Sequence, residues 1–354
     1  MGRFLLGELA ARLGVELVGD GALSIDGVAD LAEARPGQIA PATDPARLEE
    51  ACTTAASALI VSRPLEHARA AQLVCADPRR ALGLLLELFA EPPGLDDQER
   101  GVDPRAAVHA AAGVAPTAWV GPFTYVGPGA QVGEGSRVEP FTYVGRGARV
   151  GRRCTLGPGA TLAAGCTLAD DATLAPGAVV GGDGFGFWRD GAGWHRVPSA
   201  AAVSVGAGST VGANSCVDRG TLCDTRVGRG VQIDNLVQVG HNVRVEDGAL
   251  LCAQVGLAGG AIVEADAVLA GQVGVADHRR VGRGARVGAQ SGIVQEVPPG
   301  AEVSGTPALP HRLWLRSSVL FSRLADLARQ VRALGREVSR LAARDGAAQE
   351  DNRR

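Results

Sequence analysis

Aliphatic side chains recur at every sixth position over most of this chain. The series runs from Val108 to Val180 in unbroken steps, resumes at Val205, Val211 and Val217, and is re-phased once more from Val227 to Ile293. A period of six is neither the helical period nor the alternation of a simple strand, so it predicts a solenoid. Two positions before each aliphatic the side chain is mostly small, as at Ala118, Thr124, Ala130, Ser136, Cys154 and Ala178. Gly often follows the aliphatic, as at Gly121, Gly133, Gly206 and Gly240. The pattern predicts a parallel β-helix in which each hexad supplies a short strand and a tight turn and three hexads close a triangular coil. The aliphatic points inward, the small residue fits near a corner, and Gly supplies backbone angles closed to other residues. The repeats suffice for about nine coils. Arg279 breaks the small-residue rule and predicts a local distortion.

The hexad is absent from the first hundred residues or so. There, Leu5 to Leu13 has helical spacing, Ala58 to Val61 and Gln72 to Cys75 resemble short buried strands, and Asp77-Pro78 opens a helix to Phe89 with an N-cap and a first-turn proline. The expected organisation is a small α/β domain over 1–100, a β-helix over 101–305 and a helical segment over 306–354, with Glu91-Pro-Pro-Gly94 as the first junction. In the last segment Leu320, Leu324, Leu327, Val331, Leu334, Val338 and Leu341 alternate steps of four and three. This is a heptad seam. It could pack on its own domain, but a three-chain bundle on the prism axis is favoured, because proteins that resemble this prism pack three copies around a threefold axis.

Composition narrows the classes. The 354 residues hold 50 Gly and only 4% aromatics, which suits a solenoid of small turns, and the net charge of −3 provides no general attraction to nucleic acid or membrane. No apolar run is long enough to span a bilayer and no basic-flanked leader opens the chain, so a cytoplasmic protein is expected. The seven cysteines form no CxxC pair and no metal spacing, and Cys154 and Cys166 occupy small-residue slots as packing thiols.

Chemistry must come from departures from the scaffold. One interruption, Gly181 to Pro198, concentrates Phe185, Phe187, Trp188 and Trp194 and forms either a pocket wall or a simple lid. A second, Asp218 to Thr225, is a four-residue excess over the hexad. Directly afterwards come Asp234, Asn235, Gln238 and His241, with Asn235 and His241 in equivalent slots after consecutive aliphatics, outside the core. An imidazole takes a proton near neutral pH, and a nearby carboxylate fixes its tautomer. With no activated Ser or Cys beside it, such a pair suits a base that deprotonates the substrate's own nucleophile. An amine attacking a thioester needs positioning, a base and one or two backbone N–H groups for the oxyanion, and no metal.

The motifs Gly181-Gly-Asp-Gly-Phe-Gly-Phe187, Asp218-Arg-Gly-Thr-Leu222, Ile233-Asp-Asn235, Val239-Gly-His-Asn-Val243, Gly288-Ala-Gln-Ser-Gly292 and Ser304-Gly-Thr-Pro307 closely resemble, in this order, the UDP-3-O-acylglucosamine N-acyltransferases of lipid A biosynthesis. The likeness covers nearly the whole chain. It implies a left-handed winding, a homotrimer with active sites between subunits, and a cytoplasmic enzyme near the inner membrane face. The implied reaction moves a 3-hydroxyacyl group from acyl carrier protein to the 2-amino group of UDP-3-O-(3-hydroxyacyl)glucosamine, with no further cofactor and no metal. By position, His241 is the implied base, Asp234 its orienting carboxylate and the Gly259 N–H the oxyanion donor. Asn235 and Gln238 would line the pantetheine and substrate groove, and Asp183 and Phe185 fall in the implied substrate loop. His278 matches a second His that assists substrate binding, although a plain surface His is an alternative reading. Arg312 and Arg316 would lie near the docking site of an acidic carrier protein.

One segment departs from the family pattern. Where the family carries Asp-Ile-Thr-Phe-Leu-x-Asn-Pro-x-Tyr and sandwiches uracil between its aromatics, this chain reads Gln38-Ile-Ala-Pro41-Ala-Thr-Asp44-Pro45-Ala-Arg47. Arg47 could stack on a base through its guanidinium plane, whereas Asp44 would repel a diphosphate. Another nucleotide amino-sugar or acyl donor is therefore the nearest alternative. A zinc lyase on the same prism would need three converging His ligands, and besides His241 and His278 the sequence offers only His195 nearby.

Overall fold

The computed structural model describes residues 2–89, 101–305 and 311–351. The expected junction at Glu91 to Gly94, and Thr306-Pro307, lie outside the described residues. The chain divides into two compact units, Met1–Gln98 and Glu99–Arg354.

In the first unit the strands Glu16–Val18, Ala71–Val74, Ala58–Val61, Gln38–Pro41 and Gly27–Val28 form one sheet in that order, parallel except for the first. Helices α1 (Leu6–Leu13) and α3 (Pro78–Phe89) cover one face, burying Leu6, Leu9, Leu85 and Phe89 against Ile39, Ile60 and Leu73. Helix α2 (Leu48–Thr53) contributes Ala51 to a second cluster with Leu31, Leu59 and Val61. Central strands covered on both faces are apolar throughout, which is why Ala58–Val61 reads as a continuous hydrophobic run. Asp77 accepts from the Arg80 N–H at 3.0 Å, as its N-cap position predicts.

The second unit is a parallel β-solenoid. Its mostly two-residue strands stack into three sheets of nine, ten and eleven strands. Each aliphatic pairs with the one a full coil on, as Val120 with Val138 and Leu156 with Leu174, and the column they form is buried from Val120 to Ile293. Both interruptions preserve this register. Leu168 pairs with Val205, and Val205 with Val227, so the extra residues are expelled outward while the core column continues. In-phase strands at Gly101–Val102 and Glu302–Val303 extend the solenoid beyond the hexads counted in the sequence.

Most small-residue slots are fully buried at the corners, and where they hold hydroxyls these bond to the next coil's backbone. Ser136 Oγ donates to the Gly151 carbonyl and Ser215 Oγ to that of Asp234, each at 2.7 Å. Cys154 and Cys166 are buried there, and burial pushes both thiols up in pKa. The glycines after the aliphatics have a different cause from the one expected. None of those quoted has a positive φ; a Cβ at Gly133 or Gly206 would instead lie 2.3 Å from a carbonyl oxygen of the next coil. Close approach of coils, not backbone freedom, selects them. Arg279 causes no break in register: Arg280–Val281 pairs normally with Ile262–Val263, and the Arg279 side chain projects into solvent where this sheet ends.

The expected single C-terminal helix is two, α4 (His311–Phe321) and α5 (Leu324–Asp351). Leu320 therefore belongs to α4, and the seam on α5 runs from Leu324 to Leu341. Every seam residue is exposed, Val331, Leu334 and Val338 by about two-thirds. The seam does not pack on its own domain. Among the described residues no helix is long and apolar enough to cross a membrane.

Candidate active site

His241 sits on the turn that follows the Gln238–Val239 strand, and its half-buried imidazole lies between two backbone segments. On one side is Gly184, from the first excursion, where a Cβ would come within 2.8 Å of His241 Cβ. On the other is Gly259, one coil on, where a Cβ would lie 2.8 Å from Nε2 and 2.7 Å from Cε1. Only glycines allow both backbones to close on the ring. The Gly259 N–H donates no hydrogen bond among the described residues, while its carbonyl accepts from the His278 N–H at 3.0 Å. The Gly259 segment thus lies against the Cε1–Nε2 edge of the ring.

At the other ring nitrogen, Nδ1 is 3.0 Å from Asn242 Oδ1. Asn242 is held by the second excursion: its Nδ2 donates to the Cys223 carbonyl at 2.8 Å, its Oδ1 accepts from the Thr221 N–H at 3.2 Å, and its own N–H donates to Thr225 Oγ1 at 2.8 Å. Asp234 is not the orienting group within this chain. Its Oδ1 accepts from the Asn235 N–H at 2.7 Å, and no hydrogen bond or ion pair joins it to His241. The reason is topological. Asp234 and Asn235 lie on the turn entering the Gln238–Val239 strand and His241 on the turn leaving it, so they flank opposite edges of one prism face. Asn235 Oδ1 is engaged there by the Ala213 N–H at 2.7 Å.

The carboxylate that does face His241 is Asp218. Burial pushes its pKa up and the neighbouring Asp183 adds to this, while a 2.9 Å hydrogen bond from Gln238 Nε2 and the His241 charge pull the other way. Arg219 secures the base of the first excursion, donating to the carbonyls of Gly181 at 2.9 Å and Ala164 at 3.0 Å. Because the Asp218 pKa is raised on folding, the stability it contributes is complete in acid and is lost as pH rises through the carboxylate range. Asp218→Asn still accepts from Gln238 and escapes that loss. Its melting temperature is expected to exceed that of the parent near pH 8 and to match it near pH 3 (melts at both pH values check this).

Beyond Gln238 the outward positions of this face are Gly256, Gly274 and Gly292, in register on successive strands. Three coils without an outward side chain leave an open, mainly apolar trough of about 460 Å³, lined by Gln238, Gly256, Leu257, Ala258, Gly274 and Ala276. It begins at the segment carrying Gly259. A larger cavity of about 780 Å³ lies wholly in the first unit, by Arg3, Arg35 and Phe89, and shares no residue with this cluster. His278 is exposed one coil beyond Gly259, its ring against Gly260, where a Cβ would lie 2.4 Å from Nδ1. Phe185 is 84% exposed next to Gly184. The rest of the first excursion is an antiparallel hairpin, Phe187–Asp190 with Gly193–Arg196, in which Trp188 stacks on His195 at 4.3 Å and His195 Nε2 lies 2.8 Å from Asp190. His195 is committed to the hairpin.

The residues expected from the sequence therefore divide. Asp183, Gln238, His241 and Gly259 lie around one another, Phe185 follows Gly184 with an exposed ring, His278 adjoins Gly260, and Asp234 and Asn235 do not reach His241 in one chain. Sequence reasoning assigned no role to Asn242, Asp218 or Gly184. The length excess at Asp218 to Thr225 was the available signal, since a solenoid expels residues only where something outside the core uses them. Among the described residues no group of three or more His, Cys, Asp or Glu side chains is placed to hold a metal.

Residues 22–88 match the family model for UDP-3-O-(3-hydroxymyristoyl) glucosamine N-acyltransferase, LpxD, and residues 147–182 match the bacterial transferase hexapeptide (six repeats). The UDP-3-O-acylglucosamine N-acyltransferase of Syntrophotalea carbinolica is 42% identical over 95% of this chain and 97% of its own length. That of Myxococcus xanthus is 45% identical over 95% and 97%. A solved UDP-N-acetylglucosamine acyltransferase of Arabidopsis superposes with a TM-score of 0.51 at 22% identity, over 58% of this chain and 71% of that one, which speaks to the fold alone. With relatives this similar along nearly its whole length, the chain belongs to the UDP-3-O-acylglucosamine N-acyltransferase family of lipid A synthesis.

Proposed function

We propose that this acyltransferase moves a 3-hydroxyacyl group from acyl carrier protein to the 2-amino group of UDP-3-O-(3-hydroxyacyl)glucosamine. The observation carrying the reading is the imidazole tip of His241 held against Gly259, whose N–H donates no hydrogen bond among the described residues and whose neighbour Ala258 lines a trough with Gly256 and Gly274. The trough suits a long unbranched chain, because backbone and small apolar atoms present a smooth surface with no side chain to obstruct it. His241 Nε2 takes a proton from the attacking amine as the N–C bond forms. The Gly259 N–H stabilises the tetrahedral oxyanion. The C–S bond then breaks, and the imidazolium returns its proton to the leaving thiolate. Gln238 Oε1 is placed to accept from the amine or a neighbouring hydroxyl, and Asp183, Phe185 and His278 border the same opening.

Asp234 and Asn235 can join such a site only from a neighbouring protomer, and the bare seam of α5 supports a homotrimer that would bring one there. Leu334→Asp is expected to convert the sedimenting species from trimer to monomer without unfolding it, since Leu334 is exposed within its own chain. An unchanged sedimentation coefficient would remove the seam from the interface. Exposed Arg312 and Arg316 on α4 suit an acidic carrier protein. In the first unit, Arg47 is clamped in its own plane by Asp30 at 2.6 and 2.9 Å and Glu50 at 2.7 and 3.0 Å, which leaves only its flat face for a nucleobase and its charge already neutralised. Asp44 caps its own turn through the Ala46 N–H at 2.9 Å.

The deciding experiment incubates the protein with 3-hydroxyacyl carrier proteins of several chain lengths and UDP-3-O-acylglucosamine. Amide product is expected by mass spectrometry. Its absence at every length would reject the reading in favour of another acceptor sugar or donor.

A further inference from the structure

We infer that Asn242 is a positioning residue that holds neutral His241 in the Nδ1–H tautomer, and that the Asp218 to Thr225 excursion exists to hold Asn242. The inference rests on the proposed role of His241 and concerns how that side chain is prepared for it. An amide is asymmetric. Its oxygen only accepts and its nitrogen only donates, so the orientation of Asn242 is set by whichever neighbours cannot exchange roles. Two backbone groups do this. The Thr221 N–H, a donor only, meets one amide atom at 3.2 Å, and the Cys223 carbonyl, an acceptor only, meets the other at 2.8 Å. Flipping Asn242 would set donor against donor and acceptor against acceptor at those distances. Oδ1 therefore faces His241.

A carbonyl oxygen 3.0 Å from Nδ1 makes a hydrogen bond only if Nδ1 carries the proton. A neutral imidazole has a single ring N–H, so the Nε2 lone pair is left directed at the Gly259 side, where the reaction needs it. The amide does this without placing a negative charge beside the imidazolium. The left-handed turn also favours the residue type: Asn242 has φ 61°, a conformation that Asn tolerates better than most side chains, and the same slot one coil on is Gly260. The four extra residues in the sequence are thus explained. A regular hexad turn would supply neither the Thr221 N–H nor the Cys223 carbonyl.

The test reads the tautomer directly. Protein labelled with 15N-histidine is observed above the imidazole pKa, and His241 is assigned among the six histidines by the loss of its signal in His241→Gln. The parent protein is expected to show His241 protonated at Nδ1 and bare at Nε2. Asn242→Gly, chosen because glycine accepts the positive φ, is expected to lose that preference and to lower kcat by about 10- to 100-fold with little change in KM. Asn242→Asp, which can still accept from Nδ1, is expected to restore the tautomer and part of the rate. A parent spectrum with the proton on Nε2, or an Asn242→Gly spectrum unchanged from the parent, overturns the inference. The parent spectrum requires no variant to fold. If Asn242→Gly changes the tautomer while turnover is untouched, the tautomer lock stands and it is the role of His241 as base that fails.

Discussion

His241→Ala is expected to lower kcat by about 10²- to 10⁴-fold while the protein stays folded and its melting temperature moves little. The two halves of this expectation have separate physical sources. The loss arises because the amine must shed a proton as it attacks, and the His241 imidazole is the base held against Gly259. The preserved fold follows from the coil's construction. The turn at residue 241 is held by main-chain bonds, among them Gly260 N–H to the His241 carbonyl at 2.9 Å, and the buried column through Val239 and Leu257 does not involve the imidazole. Initial rates of amide formation, read beside a thermal melt, check both halves. A His241→Ala protein that keeps more than a tenth of the parent rate would return the chemistry to positioning alone.

Gly259→Ala is the more discriminating experiment, since it removes no functional group. The added methyl would sit 2.7 to 2.8 Å from Cε1 and Nε2, well inside contact distance, so something must yield. What yields is the tip of a side chain that can rotate, so the solenoid should be almost unperturbed. The displaced imidazole, however, loses its alignment with the free N–H. Misplacement of a reacting group by about 1 Å costs on the order of 10²-fold, and kcat is expected to fall by at least that much at nearly constant KM. The Gly259 N–H itself survives the substitution. A fully active Gly259→Ala enzyme would therefore mean that the imidazole does not work from this slot, and would move the search for the base elsewhere in the site. Gly184→Ala makes an instructive contrast: its methyl would meet His241 Cβ, which cannot swing aside, so the Phe185 loop must shift instead.

The residues also separate what a linear reading can and cannot see. The solenoid was legible because its core is a repeated local event. Each Val or Leu of the series meets its counterpart one coil on, so the spacing in sequence is the spacing in space. The polar cluster after the second interruption likewise singled out His241, and the family resemblance added Gly259, which the structure sets one coil on from it. The glycines after the aliphatics were seen but misattributed, because a tight approach by the next coil and a positive φ select the same residue type. The hydrogen-bond partner that His241 finds within its own chain was not legible for a deeper reason. Asp234 is nearer the expected chemistry by residue type, but a strand face intervenes, whereas Asn242 adjoins His241 and takes its orientation from Thr221 and Cys223 in another coil.

By itself, then, the amino-acid order determined the repeat, the inward column, the positions where the coil is interrupted, the heptad seam and the family of the chain. Each of these is a periodic or contiguous pattern, carried by residues at constant separations. Only the tertiary structure decided which polar groups meet: that within one chain Asn242 rather than Asp234 bonds Nδ1, that Asp218 is the half-buried carboxylate facing the imidazole, and that the outward glycines Gly256 and Gly274 line a trough. Hydrogen bonds are short and directional, so their partners depend on where an expelled loop returns to the coil, and sequence spacing carries no record of that.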